Sequence, residues 1–133
     1  MSQENVEVIR AAYDAFARGD LEAVSQLHDP AIEWHTSVED PDAAIHRGPV
    51  AVRRYFEGYM ETFPGFRADL EECVEAPGGR VLAATHYTGR ARASGMDMDW
   101  RQWLLYTVND GLIVRTEECF NRDEALETAG LRE

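Results

Sequence analysis

The sequence predicts one α+β domain, residues 1–133, in which a curved, mixed and mostly antiparallel sheet wraps around N-terminal helices. Two observations predict it. First, 133 residues are enough for one hydrophobic core and too few for two. Second, helical spacing dominates the first half of the chain, whereas strand alternation dominates the second half. Helices that precede a run of consecutive strands typically pack on one face of an antiparallel sheet. Such a curled sheet leaves a concavity in which small molecules bind.

Four segments have helical spacing or helical start and stop signals. In the first, Val8, Ile9 and Phe16 fall on one apolar face, and a glycine ends the segment. Asp20 is placed to cap the second. The predicted helices span Glu4–Ala17, Leu21 to the residue before Pro30, Pro49–Phe63 and Arg122–Ala129.

Strand alternation and turn signals account for most of the remaining chain. Asn109-Asp110-Gly111 is a hairpin signal between two strands. Residues 37–48 have no apolar period and contain Pro41, so we expect a loop there. The predicted strands span Ala31–Thr36, Phe66–Glu75, Arg80–Arg92, Asp97–Val108 and Leu112–Phe120.

Composition excludes several classes of function. The net charge is −12, from 25 acidic and 13 basic residues, which argues against a nucleic-acid or anionic-membrane partner. Every basic residue is arginine, so no lysine nucleophile or Schiff base is available. No nucleotide, flavin or metal motif is present, and we therefore expect no cofactor. Cys73 and Cys119 lack a C-x-x-C spacing, which favours free thiols and a cytoplasmic location.

Three stretches carry a family resemblance. The first, from Ala11 to Val24, is similar to the first-helix signature Y-x-A-F-x-x-G-D-L-x-A-V of a known family. The second, Asp29–Trp34, resembles the strand that follows this helix in the family. The third, Asp110–Arg115 with Glu124–Leu131, resembles the family's C-terminal part. In this order they resemble the SnoaL-like branch of the nuclear transport factor two-like superfamily. The resemblance implies a cystatin-like conical barrel and a homodimer formed through the sheet face. That superfamily contains isomerases, cyclases, epoxide hydrolases, dehydratases and non-enzymes, so the fold does not fix the activity.

The resemblance also suggests which residues face the cavity. It implies that Trp34, His86, Trp103 and Glu118 do so, and strand alternation places Arg101 on the same side as Trp103. Further apolar walls are expected from Phe16, Phe56, Tyr59, Phe63 and Phe120. A one-residue slip would reverse every assignment on a strand.

The predicted polar groups suggest acid–base chemistry. His86 is the candidate base or acid because its ordinary pKa lies nearest neutrality. Glu118 is its candidate partner, and Arg101 is a candidate for binding a carboxylate or an enolate oxygen. The alternative is that His86 only hydrogen-bonds within the sheet while Arg101 and Glu118 pair with each other.

Known enzymes of the superfamily are matched only in part. Its steroid isomerases carry a catalytic aspartate where this chain has Trp34, and an oxyanion-binding acid near Trp103. The sequence therefore leaves open whether the chain is an enzyme. His35 and His46 flank acids in the 37–48 loop, but their spacing is not that of a metal site, and we expect a solvated loop.

Three functions stay open at this point. The first is a cofactor-free isomerase, cyclase or hydratase acting on a small apolar carbonyl or cyclic substrate. The second is a non-catalytic domain that binds a small apolar molecule. The third is an interaction domain, for which Trp100, Leu104 and Tyr106 alternate on one face of a strand and would form an exposed dimerisation patch.

Overall fold

The computed structural model describes residues 2–37, 44–119 and 121–131. Its helices are α1 (Ser2–Ala17), α2 (Leu21–Gln26), α3 (Pro49–Thr62) and α4 (Arg122–Ala129). Its strands are β1 (His28–His35), β2 (Ile45–Arg47), β3 (Arg67–Ala76), β4 (Arg80–Arg90), β5 (Asp97–Asn109) and β6 (Leu112–Cys119).

The strands form a single mixed sheet in the order β2-β1-β6-β5-β4-β3. Only the β1–β6 pair is parallel; the other neighbours are antiparallel. β2 and β3 lie at opposite edges, so the sheet is open and the barrel implied by the resemblance is not closed. The predicted α+β class, with a mostly antiparallel sheet, is confirmed.

The element ends follow local backbone chemistry. Asp20 caps α2 by accepting a hydrogen bond from the Ala23 backbone N–H at 3.0 Å, and Asn121 caps α4 in the same way. Asp110 and Gly111 adopt the left-handed conformation, with φ of 51° and 77°, that a two-residue hairpin between β5 and β6 requires. The predicted elements are present, with ends within a few residues of those expected.

Two parts of the sequence prediction need correction. β1 begins at His28 rather than at Ala31, because the chain enters the sheet directly after the short helix α2. The region expected to be only a loop contains β2, which pairs with the end of β1. Residues 38–43 of that loop lie outside the described residues.

The sheet has two differently covered faces. The inner face packs against α1 and α3, and its core includes the fully buried Ile9, Val52 and Leu104. The outer face is covered at one end by α4, where Ala125 and Ala129 contact a second apolar cluster. No helix among the described residues is long and apolar enough to cross a membrane.

Trp100, Leu104 and Tyr106 do not form the apolar patch that the sequence predicted on the outer face. Leu104 is fully buried and Tyr106 is 5% exposed, because both side chains belong to the inner core. Trp100 is 52% exposed, but it lies on the same inner-facing side, near the open end of the sheet. The prediction therefore assigned the two faces of β5 the wrong way round: its even-numbered residues face inward.

Candidate functional site

A cavity of about 800 Å³ lies between the inner face of the sheet and the helices. Its wall is mainly apolar and aromatic, with a few polar groups, which is the usual character of a small-molecule site. α1 and α3 supply one side of it, and the sheet, mainly through β5, supplies the other. The residues used below are Tyr13, Phe16, His28, Trp34, Tyr55, Phe56, Tyr59, Phe63, Phe66, Ala68, Tyr87, Asp97, Asp99, Trp100, Gln102, Tyr106 and Glu118.

Six of the residues predicted from the sequence lie on this wall. They are Phe16, Trp34, Phe56, Tyr59, Phe63 and Glu118. Their roles toward a ligand stay predictions, since the cavity wall alone does not test binding. Phe120 lies outside the described residues.

The prediction that His86, Arg101 and Trp103 face the cavity is wrong. His86 pairs across the sheet with Arg101, and both side chains project from the outer face, opposite Tyr87 and Gln102. The physical reason is alternation: the neighbouring residue on each strand is the one that points inward. Trp103 also lies outside, where the Arg122 guanidinium sits 5.8 Å from its ring centroid.

On the outer face His86 and Arg101 belong to a network of charges. His86 Nε2 lies 2.6 Å from an Asp99 carboxylate oxygen, and its Nδ1 lies 3.9 Å from Glu71. Arg101 Nε donates to Glu71 at 3.0 Å. Glu71 is the extra residue of a bulge in β3, which lets its side chain reach both partners. His86 therefore does hydrogen-bond within the sheet, but Arg101 pairs with Glu71 rather than with Glu118.

Glu118 is the centre of the polar site inside the cavity. Its Oε2 accepts hydrogen bonds from Trp34 Nε1 and from the Tyr55 hydroxyl, both at 2.7 Å. Its Oε1 accepts a longer bond, 3.3 Å, from the Gln102 amide. The three donors come from β1, α3 and β5, so the carboxylate joins three elements to β6.

The donors to Glu118 are all neutral. Burial, followed by the nearby Glu118 carboxylate, raises the pKa of Tyr55, so its hydroxyl stays protonated and donates. Within the described part of the chain, no arginine or histidine nitrogen lies within 4.0 Å of the Glu118 oxygens. A carboxylate offers about four acceptor positions, and three are filled here.

A second polar group is a chain of hydroxyls at the inner wall. The Tyr13 hydroxyl lies 2.6 Å from Thr85 Oγ1 and 2.9 Å from the Tyr106 hydroxyl. Burial raises the pKa of Tyr13 to about 12, and it also raises the pKa of Tyr106. All three hydroxyls are therefore protonated near neutrality. They share two hydrogen bonds, and Thr85 also hydrogen-bonds the Tyr87 side chain.

His28 is a third polar group of the wall. It is 6% exposed, and its Nδ1 has no hydrogen-bond partner among the described residues. Burial lowers the pKa of His28 to about 4, so the imidazole is neutral near pH 7. Its ring lies edge-on to Phe56, with centroids 6.3 Å apart.

The mouth of the cavity is acidic and apolar. Asp97 and Asp99 lie on it, beside the exposed Trp100. Both carboxylates have partners away from the cavity: Asp97 pairs with Arg90 at 3.0 Å and Asp99 with His86. Asp97 and Asp99 thus border the mouth, while their carboxylates, like the Arg101 guanidinium, reach partners away from the cavity.

The histidines considered for metal binding have other partners. His35 Nε2 lies 2.9 Å from Glu33, and His46 stacks on Tyr55 with ring centroids 4.4 Å apart. The acids Glu39, Asp40 and Asp42 lie outside the described residues. Within the described ranges no cluster of three or more His, Cys, Asp or Glu side chains is arranged to hold a metal ion.

Sequence reasoning missed several residues of the wall, namely His28, Tyr55, Tyr87, Gln102 and Tyr106 as polar groups. A usable signal was present on β5. Its even-numbered residues, Trp100 to Val108, are more apolar than the odd-numbered set that contains Asp99 and Arg101. The even-numbered set was therefore the better candidate for the buried face. The partners of the Tyr13 hydroxyl could not be assigned without the fold, since Thr85 and Tyr106 lie 72 and 93 residues away in the chain.

An open α+β sheet around an aromatic cavity with one inward carboxylate defines a cavity-bearing protein of the nuclear transport factor two-like class. Solved proteins described as NTF2-like have this fold. Residues 9–116 match the SnoaL-like domain family, and the chain belongs to that family.

Relatives cover nearly the whole chain. An uncharacterised protein of Mycobacterium tuberculosis is 29% identical over 125 residues, which is 93% of this chain and 94% of the relative. Bal32a, from a soil-derived mobile gene cassette, has a TM-score of 0.80 and 26% identity, covering 96% and 97% of the two chains. A putative SnoaL-like polyketide cyclase from Jannaschia sp. CCS1 has a TM-score of 0.76 at 18% identity, covering 98% and 94%, and shows the shared fold alone.

Proposed function

We propose that this chain binds a small, predominantly apolar molecule in the cavity and holds that molecule's polar group at Glu118. The observation that carries the proposal is the placement of this carboxylate. It lies on the wall of an aromatic cavity and is fixed by three neutral donors from three elements. Groups held from several sides keep one orientation, which reduces the entropy lost when a ligand binds.

The binding proposal is tested by filling the cavity. Ala68 is a half-buried residue of the wall, whereas Ala31 is exposed on β1 and outside the cavity. Isothermal titration with 1-naphthalenemethanol is expected to show one saturable site per chain in the native protein and in Ala31→Trp. Ala68→Trp is expected to weaken it at least tenfold, because the indole occupies the ligand's space. Equal affinity in the two variants would contradict the proposal.

A second candidate function is proton transfer, and a specific pairing favours it. Glu118 is a proton acceptor, and the protonated phenols of Tyr13 and Tyr106 lie on the same cavity. Glu118 would remove a proton α to a carbonyl; the C–H electron pair would form the C=C bond of the enolate, and the carbonyl π pair would move onto the oxygen. A phenol of this pair would donate a hydrogen bond to that oxygen, and Glu118 would deliver the proton it removed to another carbon. This is isomerase or cyclase chemistry without a cofactor.

The catalytic candidate has its own test. We expect the protein to accelerate exchange of the α-hydrogens of 2-tetralone for deuterium in D₂O, followed by ¹H NMR. Glu118→Gln should remove the acceleration, since an amide cannot accept the proton. Glu117→Gln is the matched control, because Glu117 bonds Arg115 away from the cavity. No acceleration over the buffer rate by the native protein would remove the catalytic candidate and leave the binding proposal in place.

Two further parts of the sequence prediction belong to the proposal. Cys73 and Cys119 are free thiols, which supports a cytoplasmic setting. We also propose the homodimer that the family resemblance implies, although not through the patch predicted around Leu104. Sedimentation velocity at micromolar concentration measures it, and a monomer there would contradict it.

A further inference from the structure

The charges around the cavity are unbalanced. Among the described lining residues three carry carboxylates, Asp97, Asp99 and Glu118, and none is an arginine. The two aspartates at the mouth already have cationic or imidazole partners on the outside, Arg90 and His86. Glu118 has only neutral donors.

His28 does not supply the missing positive charge. It is the one histidine among the described lining residues, and burial holds its pKa near 4. Near neutral pH it is therefore uncharged, and the cavity keeps its negative charge. Neutral donors stabilise a carboxylate, but a partly buried carboxylate without a cation retains some desolvation cost.

Aromatic rings surround the Glu118 carboxylate. Trp34, one of its donors, has its ring centroid 5.0 Å from that of Phe56, 6.1 Å from that of Tyr106 and 6.2 Å from that of Tyr55. These four aromatic residues line the cavity together with Glu118. Aromatic walls that meet at an anionic group are the chemistry that recognises organic ammonium ions.

The remainder of the wall is suited to an apolar ring system. Phe66 stacks on Tyr87 with centroids 5.5 Å apart and on Tyr59 at 5.5 Å. Phe16 meets Phe56 edge-on at 5.6 Å. A ligand that fills this part of the cavity is expected to be an apolar ring system with a polar group that extends to Glu118.

We propose that the ligand of this cavity is a lipophilic amine, an apolar ring system carrying one protonated nitrogen that pairs with Glu118. This inference rests on the proposed binding function and specifies its ligand class. Oε1 accepts one bond, from the Gln102 amide at 3.3 Å. The ammonium would occupy the remaining acceptor position of this oxygen. An anionic ligand would instead meet the Glu118 carboxylate, with no arginine among the described lining residues to balance the two charges.

The test is a charge series of matched ligands on the native full chain. 1-Naphthalenemethylamine, 1-naphthalenemethanol and 1-naphthoic acid share a ring and differ in being a cation, a neutral molecule and an anion at pH 7. Isothermal titration is expected to show the amine binding at least tenfold more tightly than the alcohol, and the acid binding more weakly than both. Because this comparison needs no variant, it holds even where a substitution disturbs folding.

A pair of variants then locates the effect. Glu118→Gln should lower the affinity for the amine about tenfold and change that for the alcohol less than threefold. Glu117→Gln, one residue away and facing outward, should leave both unchanged. Tyr55→Phe, which removes a donor and keeps the ring, should preserve the preference for the amine.

The outcomes separate the two proposals. If amine and alcohol bind equally and Ala68→Trp weakens both, the cavity binds small molecules but the amine inference is overturned. A tighter acid overturns it as well. An amine preference that survives Glu118→Gln also overturns it, because the charge would then be read elsewhere. If none of the three ligands binds, both proposals fail.

Discussion

Glu118 and Glu71 are carboxylates on opposite faces of one sheet, and their partners differ in kind. Glu71 contacts an arginine and a histidine and is 40% exposed. Glu118 contacts an indole, a phenol and an amide, inside a cavity. On the outer face, charges are balanced by other side chains of the protein. On the inner face, neutral hydrogen-bond donors hold the Glu118 carboxylate. The cation that balances it is, in our proposal, supplied by the ligand.

The comparison also separates structural from functional chemistry. Ion pairs at exposed side chains contribute little to stability, because water screens them and side chains lose entropy. Hydrogen bonds to a charged group in a less solvated place contribute more. Of the three ionisable residues predicted from the sequence, His86 and Arg101 thus belong to the weaker network, and Glu118 is the centre of the stronger one.

The largest expected effect tests which face of β5 is buried. Leu104→Ala should lower the free energy of unfolding by roughly 2–5 kcal/mol, because it empties space in a fully buried core. Trp100→Ala, at a 52% exposed position on the same strand, should cost less than about 1 kcal/mol. Urea denaturation measures both. The reverse order would restore the face assignment that the structure overturned.

The next effect concerns acid stability and His28. Burial lowers the pKa of His28 to about 4 in the folded state, against an ordinary value of 6.5. As the pH falls below 6.5 the unfolded chain binds a proton that the folded chain does not, so stability is lost until the pH reaches about 4. The loss is about 3 kcal/mol in total. His28→Phe keeps a ring beside Phe56 and should remove this part of the acid loss.

The measurement is the free energy of unfolding in urea at several pH values between 4 and 7. The free energy of unfolding of the native protein should fall relative to that of His28→Phe as the pH drops from 7 to 4, since only the native protein loses the His28 contribution. Parallel curves would mean that the imidazole takes up its proton in the folded protein as readily as in the unfolded chain.

A smaller effect compares the two carboxylates directly. Glu118→Ala should cost roughly 1–3 kcal/mol, because three donors lose their acceptor. Glu71→Ala should cost about 0–1 kcal/mol, as expected for an exposed ion pair. Thermal and urea unfolding of the two variants side by side give the difference. Equal costs would mean that water in the cavity replaces Glu118 as the acceptor.

The fold was predictable because its signals are local and repeated. Caps such as Asp20, the Asp110-Gly111 turn and long alternating runs each specify one element, and their order specifies the class. The family resemblance added the curvature of the sheet. β2, with only three residues, has no pattern long enough to detect.

The site was predictable only in part, because it depends on which face of each strand turns inward. Trp34 and Glu118 were placed correctly on the wall, whereas on β4 and β5 the ionisable residues were preferred as functional. Ionisable residues usually lie toward water, and here they do. Tyr55 could not be found as a donor to Glu118 from sequence, since 63 residues separate the two and only the packing of α3 joins them.

The smallest expected effect is the most direct check on the outer network. Arg101 is 63% exposed and contacts Glu71 on the face away from the cavity. Arg101→Ala should change the free energy of unfolding by about 0–1 kcal/mol. It should also leave the affinity for 1-naphthalenemethylamine within twofold of the native value, because the guanidinium lies on the other side of the sheet from Glu118. If Arg101→Ala instead strengthened amine binding severalfold, its positive charge would be acting across the sheet. The inner carboxylate would then be balanced partly by the outer face, and the separation between the two faces would no longer hold.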